Sequence, residues 1–187
     1  MQTFPKMLRH HWLTIEISVI TAIAYFLMGF IGQLIAVPPG FATIIWPAAG
    51  LALAALLAFG KRTLPGVFVG AFSISVYIRI SSGTEINDWL IPVFMALFAT
   101  LQAYAGYFLL QRFVGLPMNY RKPSVIFRFL LITAVLSTLV GCTLSVLLLL
   151  QQGIIDDDNL LSTWLGWWTG DAIGIIFTLP WLFSLFP

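Results

Sequence analysis

Charged residues are scarce in this sequence, and their scarcity narrows the class of protein. Only 9% of the 187 residues are Asp, Glu, Lys or Arg, while 60% are hydrophobic and the mean hydropathy is +0.99. Soluble domains carry about 25% charged residues. The composition therefore excludes an ordinary soluble domain. It predicts an all-α integral membrane protein, in which residues 1–187 form a single compact helical bundle.

Residues that commonly build catalytic and metal sites are also few. The single cysteine, Cys142, lies in an apolar run and has no second cysteine for an intrachain disulfide. The two histidines, His10 and His11, are adjacent, so they point to different helix faces and make a poor metal pair. The sequence contains no Gly-rich phosphate loop, zinc motif or recognisable Ser–His–Asp set. We therefore expect no catalytic residue, no metal and no cofactor.

Long apolar runs make up most of the chain, and six of them approach or exceed the length of about 20 residues that a membrane-spanning helix needs. The runs are Trp12–Val37, Phe41–Phe59, Leu64–Ile80, Trp89–Leu110, Val125–Leu150 and Ser162–Phe186. They do not show the alternation of period two that a membrane β-barrel requires. The third run is the shortest and is the candidate for a buried helix that does not span.

The basic residues predict how the bundle faces the membrane. With six spans, all Lys and Arg residues except Arg79 fall on one side, at Lys6, Arg9, Lys61, Arg62, Arg112, Arg121, Lys122 and Arg128. Glu85, Asp88 and the Asp156–Asp158 run fall on the side of Arg79. Because Lys and Arg are enriched in cytoplasmic loops, we expect both termini in the cytoplasm. The same scattered placement offers no basic patch for a nucleic acid.

Small residues repeat at helical spacing and predict close packing between helices. Glycines that recur every four residues form a smooth stripe along one helix face. The stripes are Gly166, Gly170 and Gly174, then Gly66 and Gly70, and finally Gly50 with Ala54 and Ala58. Such stripes are common in membrane helices and do not specify a function. Pro47 lacks an amide donor and is expected to kink the second helix.

One carboxylate lies inside the last apolar run, where a charged residue costs about 2.5–3.5 kcal/mol to insert on translocon scales. Asp171 comes nine residues after Ser162, which places it about 13 Å deep at the helical rise. Trp164, Trp167 and Trp168 precede it by seven, four and three residues and share its helix face. An aromatic wall beside a carboxylate suits a cation or another small molecule.

The opposing interpretation is that Asp171 is satisfied within the bundle. Arg79, Gln102, a Ser or Thr hydroxyl, or protonation of the carboxylate itself would each achieve this. Gln102 lies about midway along the fourth run, while Gln33 and Glu16 lie near opposite ends of the first. Intramembrane ionisable residues are functional candidates by default, and the residues alone leave both interpretations open.

Two blocks of the sequence resemble the signatures of a known family. WPAAGLALAALLAFGKRTLPGVFVGAF spans Trp46 to Phe72, and TWLGWWTGDAIGIIFTLPWL spans Thr163 to Leu182. Together they are similar to the two signatures of the MASE1 domain, and the resemblance covers most of the chain from about Gly29 onward. The matching positions are Trp46, Pro47, Gly50, Pro65, Gly66, Gly70, Trp168, Gly170, Asp171, Gly174 and Pro180.

The resemblance implies an input module of a bacterial signalling protein in the inner membrane. Such a module would sense a small ligand, a lipid or a membrane partner and pass the signal to a cytoplasmic histidine kinase, diguanylate cyclase or phosphodiesterase. By analogy with other signalling proteins, we also expect the chain to form a homodimer. The candidate ligand-binding or signalling residues are Asp171, Trp168, Trp164, Trp167, Gln102 and Trp46.

Two features depart from the family pattern. The resemblance implies more spans than the six predicted here, and no output domain follows the last run, so we expect a fragment or a minimal sensor. Gln102 also stands where a family acid is expected, which argues against a site built on two carboxylates.

Two other functions fit the same residues. The predicted bundle is similar in size to the substrate-capture subunits of energy-coupling-factor transporters, but its first run lacks their Ala-x-x-x-Ala docking motif. A structural membrane anchor is the third alternative. It predicts that Asp171 is satisfied internally and that replacing it has no effect.

Overall fold

The computed structural model describes residues 4–36, 43–83, 89–115 and 122–184, and these ranges are helical apart from short connections. They contain seven α-helices: α1 (Phe4–Leu34), α2 (Pro47–Phe59), α3 (Leu64–Ser81), α4 (Leu90–Phe113), α5 (Pro123–Leu130), α6 (Thr138–Gln151) and α7 (Asp157–Ser184). A 3₁₀-helix, Gly60–Thr63, joins α2 to α3, and a π-helix, Leu131–Ser137, joins α5 to α6. No strand occurs in these ranges, and the all-helical prediction is confirmed.

Four helical stretches among the described residues are long and apolar enough to cross a membrane. They are Trp12–Leu34, Pro47–Ser81, Leu90–Phe113 and Pro123–Gln151. Helix α7 has sufficient length at 28 residues, but two acidic residues in its first turn, several tryptophans and Asp171 make it less apolar. The fold is thus suited to a membrane, while the count of six spans and the side on which the termini lie stay predictions.

Pro47 does not kink a helix, and that prediction is wrong. It is the first residue of α2, a position where the backbone N–H has no intrahelical partner and where the fixed φ of proline suits a helix. Residues 43–46 precede the helix in a non-helical conformation, and residues 41–42 of the predicted second span lie outside the described residues. Proline therefore begins this helix and does not bend it.

Helix α2 runs antiparallel to α1. Gly32, near the end of α1, lies against the Trp46 ring just before α2 begins. At the other end of the pair, the Ser18 hydroxyl donates to the Arg62 carbonyl at 2.8 Å, just after α2 ends. The C-terminal end of α1 thus lies beside the N-terminal end of α2, and the C-terminal end of α2 lies beside the middle of α1.

Helix α3, in contrast, runs parallel to α1. Gly66 lies against Thr21, and one helical turn later Gly70 lies against Tyr25. The positions increase together along both helices, which is the mark of a parallel pair. The continuous stretch Pro47–Ser81 therefore consists of two segments of opposite direction that meet at the 3₁₀-helix.

The remaining helices continue the alternation of direction. Side-chain contacts make α4 antiparallel to α3, the α5–π–α6 stretch antiparallel to α4, and α7 antiparallel to that stretch. The pairs that establish this are Lys61–Tyr104 and Phe72–Trp89, Gly106–Ser137 and Gly141–Gln102, and Trp164–Thr143 and Trp168–Val135. Helices α2 and α7 therefore run in the same direction.

Helix α2 lies at the centre of the bundle, where it contacts α1, α4 and α7. Its sequence, PAAGLALAALLAF, is rich in alanine, and small side chains allow neighbouring helices to approach closely. Ala48, Ala52, Leu53 and Leu56 are at most 1% exposed. The predicted site lies beside this packed centre, between α4 and α7.

Candidate functional site

Asp171 of α7 is buried, and an amide of α4 is its partner. Gln102 donates from Nε2 to Asp171 Oδ2 at 2.9 Å, and the two residues are 6% and 4% exposed. Asp171 Oδ1 has no hydrogen-bond partner among the described residues. A buried polar atom without a partner is costly unless water or a ligand meets it. One oxygen of the Asp171 carboxylate thus accepts a hydrogen bond from the protein, and the other is available to accept one from a ligand.

Gly141 of α6 makes room for this pair. A Cβ atom at position 141 would overlap the Gln102 side-chain amide. The missing side chain therefore allows Gln102 to lie between α6 and α7 and to reach the carboxylate. Sequence reasoning missed Gly141 because a lone glycine in an apolar run carries no spacing signal.

The two sequence blocks that resemble MASE1 signatures meet next to Asp171. The Trp46 backbone N–H donates to the Gly170 carbonyl at 2.9 Å. A Cβ atom on Gly170 would overlap the Thr43 carbonyl oxygen, and one on Gly174 would overlap the Trp46 carbonyl oxygen. The glycines of α7 therefore allow the backbone of residues 43–46 to lie directly on the helix that carries Asp171.

Gly50 extends this contact along α2. A Cβ atom there would come within 2.8 Å of both the Gly174 carbonyl oxygen and the Thr178 Cβ. The structure thus places Gly50, Gly170 and Gly174 in one close helix pair, while Gly66 packs on α1 through the Ser18 carbonyl. Close approach at Gly166 stays a prediction.

A cavity of about 590 Å³ lies beside Asp171. Its lining includes Asp171, Gln102, Trp46 and Trp167, and it also includes Arg79, Ser81 and Ser82 from the C-terminal end of α3. Along α4 the lining extends from Ile91 to Ala103, which corresponds to about 18 Å at the helical rise. Ser81 and Ser82 are exposed, so the cavity borders the surface at the end of α3. Its volume is within the usual range of small-molecule pockets, about 300–1,000 Å³.

Arg79 lines the cavity without contacting Asp171 by a hydrogen bond or ion pair. Its Nε atom is buried and has no partner among the residues that the structure describes. Of the partners considered for Asp171 from sequence, Gln102 therefore fills the role and Arg79 does not. Two residues that line the cavity therefore each have a buried polar atom without a partner in the described ranges, Oδ1 of Asp171 and Nε of Arg79.

The three tryptophans that precede Asp171 have different surroundings. Trp167 lines the cavity with Asp171. Trp164 and Trp168 stack with ring centroids 5.9 Å apart and donate away from it, to the Thr143 hydroxyl at 3.0 Å and the Val135 carbonyl at 3.2 Å. The cavity lining therefore includes Trp167 of α7 and Trp46, whereas Trp164 and Trp168 bond α7 to α6 and the π-helix.

The π-helix borders the same cavity. Ser137, its last residue, lines the cavity, and Gly106 of α4 lies against the Ser137 side chain. Thr133 and Ser137 each donate to the carbonyl four residues earlier. Such hydroxyl bonds compete with backbone hydrogen bonds and bend helices, and π-turns within helices are frequent at functional sites.

Two residues of the first helix reach the cavity, and a third does not. Gln33 and Tyr25 line it, while Glu16 is exposed elsewhere on α1. Tyr25 is 3% exposed and belongs to the buried cluster against which Trp46 packs. Sequence reasoning missed Tyr25 because nothing in an apolar run distinguishes a tyrosine that faces a cavity from one that faces lipid.

Comparison with protein families confirms the resemblance. The MASE1 family model matches residues 16–187, a range that includes α7, α2 and every residue named above as lining the cavity. MASE1 is a family of membrane-associated sensor domains. No match was found among curated proteins or among solved structures.

Proposed function

This chain belongs to the MASE1 family, and we propose that it is the input module of a bacterial signalling protein whose ligand binds in the cavity beside Asp171. Family membership supports the sensor role. The observation that supports the site is the buried Oδ1 atom of Asp171, which has no partner among the described residues and lies in a cavity of ligand size. A purely structural anchor would gain nothing from such an atom.

The proposed topology is six spans in the bacterial inner membrane with both termini in the cytoplasm. The alternating helix directions bring the C-terminal ends of α2 and α4 to the same end of the bundle as the N-terminal ends of α3 and α5. That end carries Lys61, Arg62, Arg112, Lys122 and Arg128, whereas Arg79 and the Asp156–Asp158 run lie at the opposite end. The excess of basic residues favours the first end as the cytoplasmic one.

In this topology the cavity borders the outer surface, and the C-terminal end of α7 points to the cytoplasm. The Gln102–Asp171 hydrogen bond joins α4 to α7 beside the cavity. A ligand that binds Asp171 Oδ1 competes with that bond or strengthens it, and so changes the preferred position of α7. It shifts the equilibrium only if it binds the two helix arrangements with different affinities.

The test joins this domain through α7 to a histidine kinase module and measures autophosphorylation in membranes. Asp171→Asn keeps an oxygen that accepts from Gln102 but removes the carboxylate, so we expect a changed basal output or a lost response. Asp157→Asn is the matched control, because the same substitution lies on the same helix at an exposed position. Equal output and equal response in the parent and both variants would contradict the proposal.

A substrate-capture subunit of a transporter is the second candidate, because a cavity of this volume also suits a transported molecule. Co-purification of the chain with an ATPase would favour that function. Ligand-dependent output from the fusion without such a partner would favour the sensor.

A further inference from the structure

We propose that the ligand is a bipolar amphiphile, with a hydrogen-bond-donating group, ideally an ammonium, at one end and an anionic group at the other. The donor would meet Asp171, the anion would meet Arg79, and an apolar chain would fill the space between them. The inference rests on the proposed function only in placing a ligand in this cavity.

The inner part of the cavity requires a donor. Asp171 Oδ1 is an acceptor without a partner among the described residues, and Gln102 already occupies Oδ2. Trp46 and Trp167 line the same part of the cavity, and indole faces attract cations. An ammonium group satisfies the carboxylate by a charge-assisted hydrogen bond and also suits the aromatic wall.

The outer part of the cavity requires an anion. Arg79 Nε is buried and has no partner within the described ranges, although a guanidinium readily forms bidentate bonds with carboxylates and phosphates. Arg79 is also the one basic residue that the topology places on the outer side, against the usual bias. Ser81 and Ser82 line the same end. A carboxylate or phosphate there would be reachable from the surface.

Most of the residues that line the cavity are apolar. Its lining includes Ala52, Leu53, Ala71, Ile74, Ile78 and Met95. The lining extends about 18 Å along α4, so the cavity is long enough for an extended chain of about a dozen carbon atoms. Because Asp171 and Arg79 both line this cavity, a ligand that carries both charges satisfies both residues at once.

The test compares three probes with chains of equal carbon number. ω-Aminododecanoic acid carries both end groups, dodecanoic acid lacks the amine, and dodecylamine lacks the acid. Each is titrated calorimetrically into nanodiscs that contain the full chain, with empty nanodiscs of the same lipid as the blank. We expect the two-ended probe to bind at least about tenfold more tightly than either one-ended probe, the ratio that one charge-assisted hydrogen bond provides.

Variants of Asp171 and Arg79 test which end group of the ligand each residue binds. Asp171→Asn should lower the affinity for ω-aminododecanoic acid and for dodecylamine by about tenfold, because the amine binds that residue. The affinity for dodecanoic acid should not change. Arg79→Gln should lower the affinity for ω-aminododecanoic acid and for dodecanoic acid, and it should not change the affinity for dodecylamine. Arg79→Lys keeps the positive charge and should restore most of the affinity. Thermal unfolding of each variant shows that the fold is retained.

Equal affinity for the three probes, or equal weakening of all three by each variant, would overturn the ligand class. If ω-aminododecanoic acid does not bind while Asp171→Asn still alters kinase output, the ligand class is wrong and the sensor function stands. If the probes bind with the expected selectivity while Asp171→Asn leaves output unchanged, the binding site stands and the sensor function fails.

Discussion

The two oxygens of Asp171 have different surroundings, and at the scale of single residues this difference separates a stabilising group from a binding group. The Gln102 amide donates to Oδ2 at 2.9 Å, and a hydrogen bond to a charged group contributes about 1.5–3 kcal/mol. Oδ1 is buried without a partner in the described ranges, at a cost of about 1–3 kcal/mol. The two effects are of similar size, so the pair adds little net stability to the fold.

Replacing the pair by apolar side chains should therefore not destabilise the fold. We predict that the double variant Asp171→Leu/Gln102→Leu unfolds at the same temperature as the parent or higher, since no buried polar atom is left unpaired. Gln102→Leu alone leaves the carboxylate without its donor and should lose about 1–3 kcal/mol. Thermal unfolding in nanodiscs measures both. A double variant that is as unstable as Gln102→Leu would show that the pair serves stability.

Gly141 should tolerate no added methyl group, because the nearest atoms belong to the Gln102 amide. We predict that Gly141→Ala displaces Gln102 from Asp171 and lowers the free energy of unfolding by about 1–3 kcal/mol. Leu147→Ala, at an exposed position of the same helix, is the control and should have a small effect. Equal stability of Gly141→Ala and the parent would contradict the observed packing.

At the scale of the helix, the contact between α2 and α7 is unusual because backbone lies against backbone. Gly170 and Gly174 leave space for the carbonyls of Thr43 and Trp46, and the Trp46 N–H bonds to α7. A backbone carbonyl cannot rotate away from an added methyl group, unlike the Gln102 side chain at Gly141. We expect α2 and α7 to move as one unit when the ligand binds.

Gly174→Ala should therefore destabilise the bundle more than Gly141→Ala does. The added Cβ meets the Trp46 carbonyl, so α2 and α7 must separate, with an expected loss of at least about 1–3 kcal/mol. Ile176→Ala, at an exposed position on α7, is the control. Thermal unfolding in the same nanodiscs ranks the three variants. A smaller loss for Gly174→Ala than for Gly141→Ala would refute the ranking.

The helices could be predicted from composition, but several boundaries could not. Length and hydropathy are sufficient to predict α1, α3 and α4, but they do not show whether Pro47 kinks a helix or begins one, because that depends on where the helix starts. The π-helix has no sequence signal, since its residues are as apolar as those of its neighbours. Its hydroxyls find their acceptors only in the folded helix.

The residues of the site were also only partly predictable from the sequence. Asp171 and Gln102 could be identified because polar groups inside apolar runs are rare. The spacing of the tryptophans placed Trp164 and Trp168 on the face of Asp171, but their indole donors turn to α6 and the π-helix. Tyr25 reaches the site through tertiary packing alone. No spacing rule within one helix contains that information.

At the scale of the whole molecule, the direction of the bundle determines which end receives the ligand. The alternation of helix directions places Gln152, at the end of α6, with Arg79, and Arg112, at the end of α4, at the opposite end. The proposed topology puts the end with Gln152 and Arg79 on the outer side of the membrane and the end with Arg112 on the cytoplasmic side.

Cysteine labelling tests this topology directly. The single native cysteine is removed by Cys142→Ala, and one new cysteine is introduced by Gln152→Cys or Arg112→Cys, both at exposed positions. A membrane-impermeant thiol reagent applied to spheroplasts should label the first variant at once and the second only after lysis. The reverse labelling pattern would show that the bundle has the opposite orientation in the membrane. Equal labelling of both variants before lysis would contradict an even alternation of spans.

Native mass spectrometry would show whether Asp171 holds a small ligand. The chain, Asp171→Asn and the control Asp157→Asn are extracted into nanodiscs of native lipid and measured side by side. We predict a bound small molecule on the parent and on Asp157→Asn that is lost from Asp171→Asn. Identical spectra for all three proteins would contradict the claim.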